Sequence, residues 1–123
     1  MILADTSVWV DHLRRNNLAL AARLDAREIM VHPFVIGELA LGNLDPRAPI
    51  LRYLERMPQA IVASHEEVLD FIDRQRLLGL GIGYVDAHLL AATRLTAAGA
   101  LWTRDRRLHK VADRLGLAFT LLS

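Results

Sequence analysis

The chain has 123 residues, 53% apolar and 24% charged, with 15 basic against 14 acidic side chains for a net charge of +1. This fits one domain over residues 1–123 with a single core, and no tract is polar enough to read as disordered. The absence of cysteine excludes disulfides and thiolate metal centres, and uncharged runs stop at nine residues, too short for a membrane-spanning helix.

Residues 1–5 (MILAD) read as a short apolar strand ending in Asp5. They carry neither the basic region nor the long apolar region of a signal peptide, so a cytoplasmic protein is expected. Thr6 and Ser7 are expected to cap a helix through Val8, Trp9 and Leu13, broken at Asn16-Asn17. A second helix is predicted over 18–25 and a strand over Ile29-Met30-Val31. Pro33 and Gly42 bracket a helix of 33–41 that contains Glu38. Asp45-Pro46 marks a turn, 47–56 a polar helix and Ala60 to Ala63 a strand. Ser64 and Glu67 form a capping box that opens a helix carrying Val68, Phe71 and Ile72. Gly79, Gly81 and Gly83 make a link to a helix of 84–98 closed by Gly99, with Asp86 in its first turn. Ala100 to Thr103 is a strand followed directly by Asp105. The Leu108, Val111, Ala112, Leu115 stripe is a helix ending at Gly116, and 117–121 a last strand. About five short strands alternating with helices predict an α/β fold whose mainly parallel sheet is covered on both faces. Ligands of such sheets gather beyond the carboxyl ends of the strands, where Asp5 and Asp105 fall.

Glu38 is the most informative residue. Its neighbours from Phe34 to Leu41 are uncharged and mostly apolar, so a carboxylate among them is costly unless paired, protonated or bound to a cation. Asp86 is similar, because Leu89, Leu90, Thr93 and Ala97 make its helix face largely apolar. Singly, each acid has a local explanation: an Asx turn for Asp5, a helix dipole for Asp86, a turn for Asp105, an arginine partner for Glu38. One site explains all four. Clustered carboxylates repel and need cations, and oxygen-only ligands favour Mg²⁺ or Mn²⁺. Such ions activate water and stabilise charge in phosphodiester cleavage. Thr6, Ser7 and Thr103 adjoin two of the acids. His12, His32, His65, His88 and His109 lack zinc-site spacing. Arg104, Arg106 and Arg107 surround Asp105 and suit an RNA backbone, although a solvated face explains them equally, and the chain's preference for arginine over lysine follows more readily from a genome's base composition.

Four segments in order, DTSVWVDHL at 5–13, FVIGELALG at 34–42, YVDAHLLAA at 84–92 and LWTRDRRL at 101–108, resemble the PIN-domain family over essentially the whole chain. Within it they are similar to the VapC-like toxin ribonucleases of toxin–antitoxin pairs. The resemblance implies a three-layer α/β/α domain and an Mg²⁺- or Mn²⁺-dependent endoribonuclease. Its catalytic acids are Asp5, Glu38, Asp86 and Asp105, with Thr6 and Thr103 in support. It also implies a homodimer and a VapB-like antitoxin laid across the active site. One departure stands out: Arg107 occupies a position where family members often carry a further acid, which points to one metal in the free protein. The expected mechanism has Asp5, Asp86 and Asp105 on the metal and Glu38 on the attacking water. A haloacid-dehalogenase-type phosphatase fits poorly, because DTSVW lacks a D-x-D pair. A receiver-like switch lacks its acidic pair and lysine. The remaining rival is a catalytically silent PIN-like scaffold that binds RNA or an antitoxin.

Overall fold

Three short strands run parallel through the middle of the molecule in the order β2-β1-β3, in a computed structural model that describes residues 1–121. β1 is Ile2–Ala4, β2 Ile29–Met30 and β3 Ala100–Trp102; Ile2 registers with Ile29 on one side and with Ala100 on the other. The helices are α1 (Thr6–Arg15), α2 (Leu18–Asp25), α3 (Pro33–Ala40), α4 (Arg47–Arg56), α5 (His65–Arg74), α6 (Tyr84–Arg94) and α7 (Arg106–Arg114). All three strands are apolar, with Leu3, Ala4 and Leu101 fully buried, as a sheet covered on both faces requires.

The strand order decides where a site can form. From β1 the chain crosses through α1 and α2 to β2 on one side, and it returns through α3 to α6 to β3 on the other side. Parallel crossovers are right-handed, so connections leaving in opposite directions cover opposite faces, which gives the three-layer α/β/α arrangement. Between the carboxyl ends of β1 and β3 the two connections part and leave a crevice. Asp5 ends β1, and Thr103 to Asp105 end β3.

The sheet is narrower than the sequence suggested. In place of strands over 60–63 and 117–121, the described residues show two isolated parallel bridges, Val31 to Gln59 and Leu101 to Ala118. The chain does reach both outer positions: Ala60 N–H donates to Val31 O at 2.8 Å, and Phe119 N–H to Leu101 O at 2.9 Å. The ladder at Val31 does not extend, because β2 stops where Pro33 starts α3 and Pro58 has no N–H to donate. α6 also ends at Arg94 rather than 98. Thr96 Oγ1 folds back on Ala92 O at 2.9 Å, and the chain turns through Ala98 at φ 54°.

Candidate active site

Asp5 caps α1 itself, correcting the expectation that Thr6 and Ser7 do so. Its Oδ1 accepts from Val8 N–H at 3.3 Å and from the Ser7 hydroxyl at 2.5 Å, and its Oδ2 accepts from the Thr103 hydroxyl at 2.5 Å. Each hydroxyl also accepts a backbone amide from the loop after β3: Arg104 N–H reaches Ser7 Oγ at 2.9 Å, and Asp105 N–H reaches Thr103 Oγ1 at 3.0 Å. A buried carboxylate is thereby tied through two hydroxyls to a segment 98 residues away. Burial pushes Asp5 above the usual carboxylate range, and the Ser7, Thr103 and Val8 hydrogen bonds oppose that shift.

The other three acids sit around this corner, each anchored by one oxygen. Glu38 Oε1 accepts from Thr6 Oγ1 at 2.5 Å. Asp86 reaches back to the N–H of Gly83 with Oδ2 at 2.9 Å. Asp105 caps α7, its Oδ1 accepting from Arg107 N–H at 2.8 Å and Leu108 N–H at 3.1 Å. Among the described residues, the second oxygen of Glu38, Asp86 and Asp105 has no protein donor, and Asp5 Oδ2 accepts only from Thr103. Burial pushes Asp86 up, the Gly83 amide opposes this, and the charges of Asp105 and Glu38 push it up further. Asp86 therefore lies within electrostatic reach of both Asp105 and Glu38.

Glu38 differs from its expected environment. Val35 and Leu39 take the core-facing side of α3, and Glu38 faces outward, so it meets Thr6 rather than an apolar wall. His32 caps α3: its Nδ1 accepts from Phe34 N–H at 3.0 Å, which puts the ring proton on Nε2. The hydroxyl of Ser7, equal to Thr103 in its contact with Asp5, carries no distinguishing sequence signal. Only its place beside Asp5 hinted at a role.

Arg104 is already committed. Its Nη1 lies 2.5 Å from Asp11, which also meets Arg15 at 3.5 Å, so it braces α1 against the loop after β3. Arg106 and Arg107 are exposed.

The donor chemistry suits a hard divalent cation: only oxygens are present, and a cation would relieve the repulsion that raises Asp86. Among the described residues, however, no three His, Asp or Glu side chains form a group able to hold an ion, so Asp5, Asp86 and Asp105 are not a ready-made three-ligand set. Mg²⁺ is commonly held by one or two carboxylates with water and substrate oxygens completing its shell, and these acids fit that mode.

The PIN domain family profile matches residues 2–114. Ribonuclease VapC32 of Mycobacterium tuberculosis is 45% identical over 118 residues, covering 96% of this chain and 95% of that protein; the sequences from strains CDC 1551 / Oshkosh and H37Rv match equally. The crystal structure of PAE2754 from Pyrobaculum aerophilum superposes with a TM-score of 0.58 over 89% of this chain and 83% of that one. Its 20% identity supports the fold alone.

Proposed function

The chain belongs to the PIN-domain family, and from that premise we propose that it is a divalent-metal-dependent endoribonuclease, the toxin of a toxin–antitoxin pair. The observation that carries this reading is the strand-end corner itself. Asp5 is buried there with both oxygens tethered, and Glu38, Asp86 and Asp105 are each anchored by a single oxygen with the other free. The 45% identity to a ribonuclease over nearly the whole chain supports the same reading.

In the proposed reaction, Asp5, Asp86 and Asp105 are the residues that would hold Mg²⁺ or Mn²⁺. When bound, the ion supplies Lewis-acid activation of water and neutralises charge developing on the phosphate. Thr6 fixes Glu38 so that its free oxygen accepts the proton of the attacking water. Thr103 and Ser7 keep Asp5 from swinging out of the corner. The water oxygen bonds to phosphorus, the bond from phosphorus to the 3′-oxygen breaks, and that oxygen takes up a proton. The products are a 5′-phosphate and a 3′-hydroxyl. The partners proposed are RNA, a VapB-like antitoxin and a second copy in a homodimer, in the cytoplasm. No helix among the described residues is long and apolar enough to cross a membrane.

A second reading, a PIN-like scaffold that binds RNA or an antitoxin without cutting, draws on the missing three-acid group. The two are separated by incubating the antitoxin-free protein with structured and unstructured RNAs in Mg²⁺, Mn²⁺ or EDTA and identifying the product ends. Metal-dependent cleavage with 5′-phosphate ends is expected. RNA binding with no cleavage in any metal leaves the scaffold, and 2′,3′-cyclic phosphate ends sink the water-attack mechanism.

A further inference from the structure

A groove lies between the segment that leads to Gly83 and the helix capped by Asp105. One wall is Gly79-Leu80, in the segment that leads to Gly83, the donor to Asp86. The other is α7, which starts from its cap at Asp105. Between them lies a hollow of about 580 Å³ lined by Gly79, Leu80, Arg107, Lys110, Asp113 and Arg114, among others. It runs along α7 from Arg107, two residues past Asp105, and α7's nine residues span about 13 Å at a rise of ~1.5 Å per residue.

Its chemistry is uneven in a useful way. Arg107, Lys110 and Arg114 recur at i, i+3 and i+7, so they line one face of α7. Lys110 is the only lysine in the chain. Asp113 is the single lining carboxylate, and it sits near the far end, away from Asp105. Arg107 and Lys110 are exposed and form no ion pair among the described residues. Arg114 is structural, since its Nη2 donates to Gln75 O at 2.6 Å and braces the facing segment.

Gly81 fixes the cation nearest the acids. Its φ is +79°, and a Cβ there would stand 3.1 Å from both Cδ and Nη1 of Arg107. The positive φ favours glycine there, and the guanidinium lies against this backbone two residues from Gly83. A chain of phosphates suits both parts, since Arg107 and Lys110 can pair with its oxygens and a divalent cation would bridge it to the carboxylates.

We propose that this groove is the track along which the RNA backbone runs to the acidic centre, with Arg107 and Lys110 contacting phosphates beside the scissile one. The inference rests on the ribonuclease reading but is tested separately from it. A labelled single-stranded RNA of mixed sequence is bound in EDTA, where no cleavage occurs, over a series of NaCl concentrations, and kcat and KM are measured in Mn²⁺. The proteins compared are wild type, Arg107→Gln, Lys110→Gln, the double variant, and Arg52→Gln as an equal charge change on α4. Each groove substitution should lower the slope of log affinity against log salt by about 0.7, the value for one single-strand phosphate contact. Lys110→Gln should raise KM several-fold with kcat little changed. Equal slopes for Arg52→Gln and the groove variants would overturn the track. Wild-type protein that binds with the expected slopes yet never cleaves would overturn the ribonuclease and leave the track standing.

Discussion

Asp5 and Asp86 are both carboxylates that burial pushes above their ordinary range, yet they are held in opposite ways. Asp5 is 6% exposed and uses both oxygens on protein donors that join β1 to the loop after β3. Asp86 is half-buried, uses one oxygen on Gly83, and faces the charges of Asp105 and Glu38 with the other unclaimed. One acid is part of the framework as well as the site; the other is left open toward a ligand. Substitutions at the two should share their effect on cleavage and differ in their effect on folding.

The largest effects expected are therefore on catalysis. Asp5→Asn and Asp86→Asn should each reduce RNA cleavage by about a thousandfold, equivalent to ~4 kcal/mol of barrier, in initial-rate assays with Mn²⁺. Urea unfolding should then split the pair. Asp5→Ala leaves the Ser7 and Thr103 hydroxyls and Val8 N–H without their acceptor, at a cost of about 2 kcal/mol after the relief of an unfavourably buried charge. Asp86→Asn should stay within ~0.5 kcal/mol of wild type. Equal destabilisation by both would erase the distinction.

The helix that carries Glu38 adds a pH-dependent counterpart. Burial first, and then the neighbouring His88, lower the pKa of His32 to about 4. Its Nδ1 accepts the cap hydrogen bond of α3, so protonation converts an acceptor into a donor facing another N–H. Between the unfolded value of 6.5 and about 4, the unfolded chain binds the extra proton and the folded one does not. Stability is therefore complete above that window and falls as pH drops through it, by about 3 kcal/mol in total for a shift of this size. Chemical unfolding at a series of pH values should show this slope and lose most of it in His32→Asn, which retains a capping acceptor. An unchanged slope in that variant would assign the acid sensitivity elsewhere.

Smaller effects test the tethers. Thr103→Val keeps the shape but removes both the donor to Asp5 and the acceptor for Asp105 N–H, and should lower stability by about 1.5 kcal/mol. Thr6→Val frees an exposed carboxylate, so it should leave stability within ~0.5 kcal/mol while slowing cleavage about tenfold through a mobile Glu38. A Thr6→Val enzyme at full rate would remove Thr6 from the positioning role.

The contrast also explains what could be read in the sequence. Local signals carried the helices: the breaks around 18–25 and 47–56, and the Ser64–Glu67 capping box, with both of its hydrogen bonds formed. Strand ends marked by Asp5 and Asp105 were legible because apolar runs stop there. The outer strands were not, since whether a residue pairs depends on how far its neighbour extends, and β2 is cut short by Pro33. Glu38 was singled out for its apolar neighbours, but the rotation of α3 that turns it to solvent and Thr6 is a tertiary outcome. The hydroxyls of Ser7 and Thr103 were legible as neighbours of the acids, but their bonds to Asp5, the pairing of Arg104 with Asp11 and the cap by His32 depend on contacts or backbone geometry that no residue type announces.

The most direct test of the central claim is calorimetric titration of the antitoxin-free protein with Mn²⁺, comparing wild type with Asp86→Asn. One binding site is predicted in wild type, lost in Asp86→Asn while the unfolding midpoint stays the same. Two tight sites in wild type, or the same heat of binding in both proteins, would contradict the assignment of the open carboxylates to a single ion.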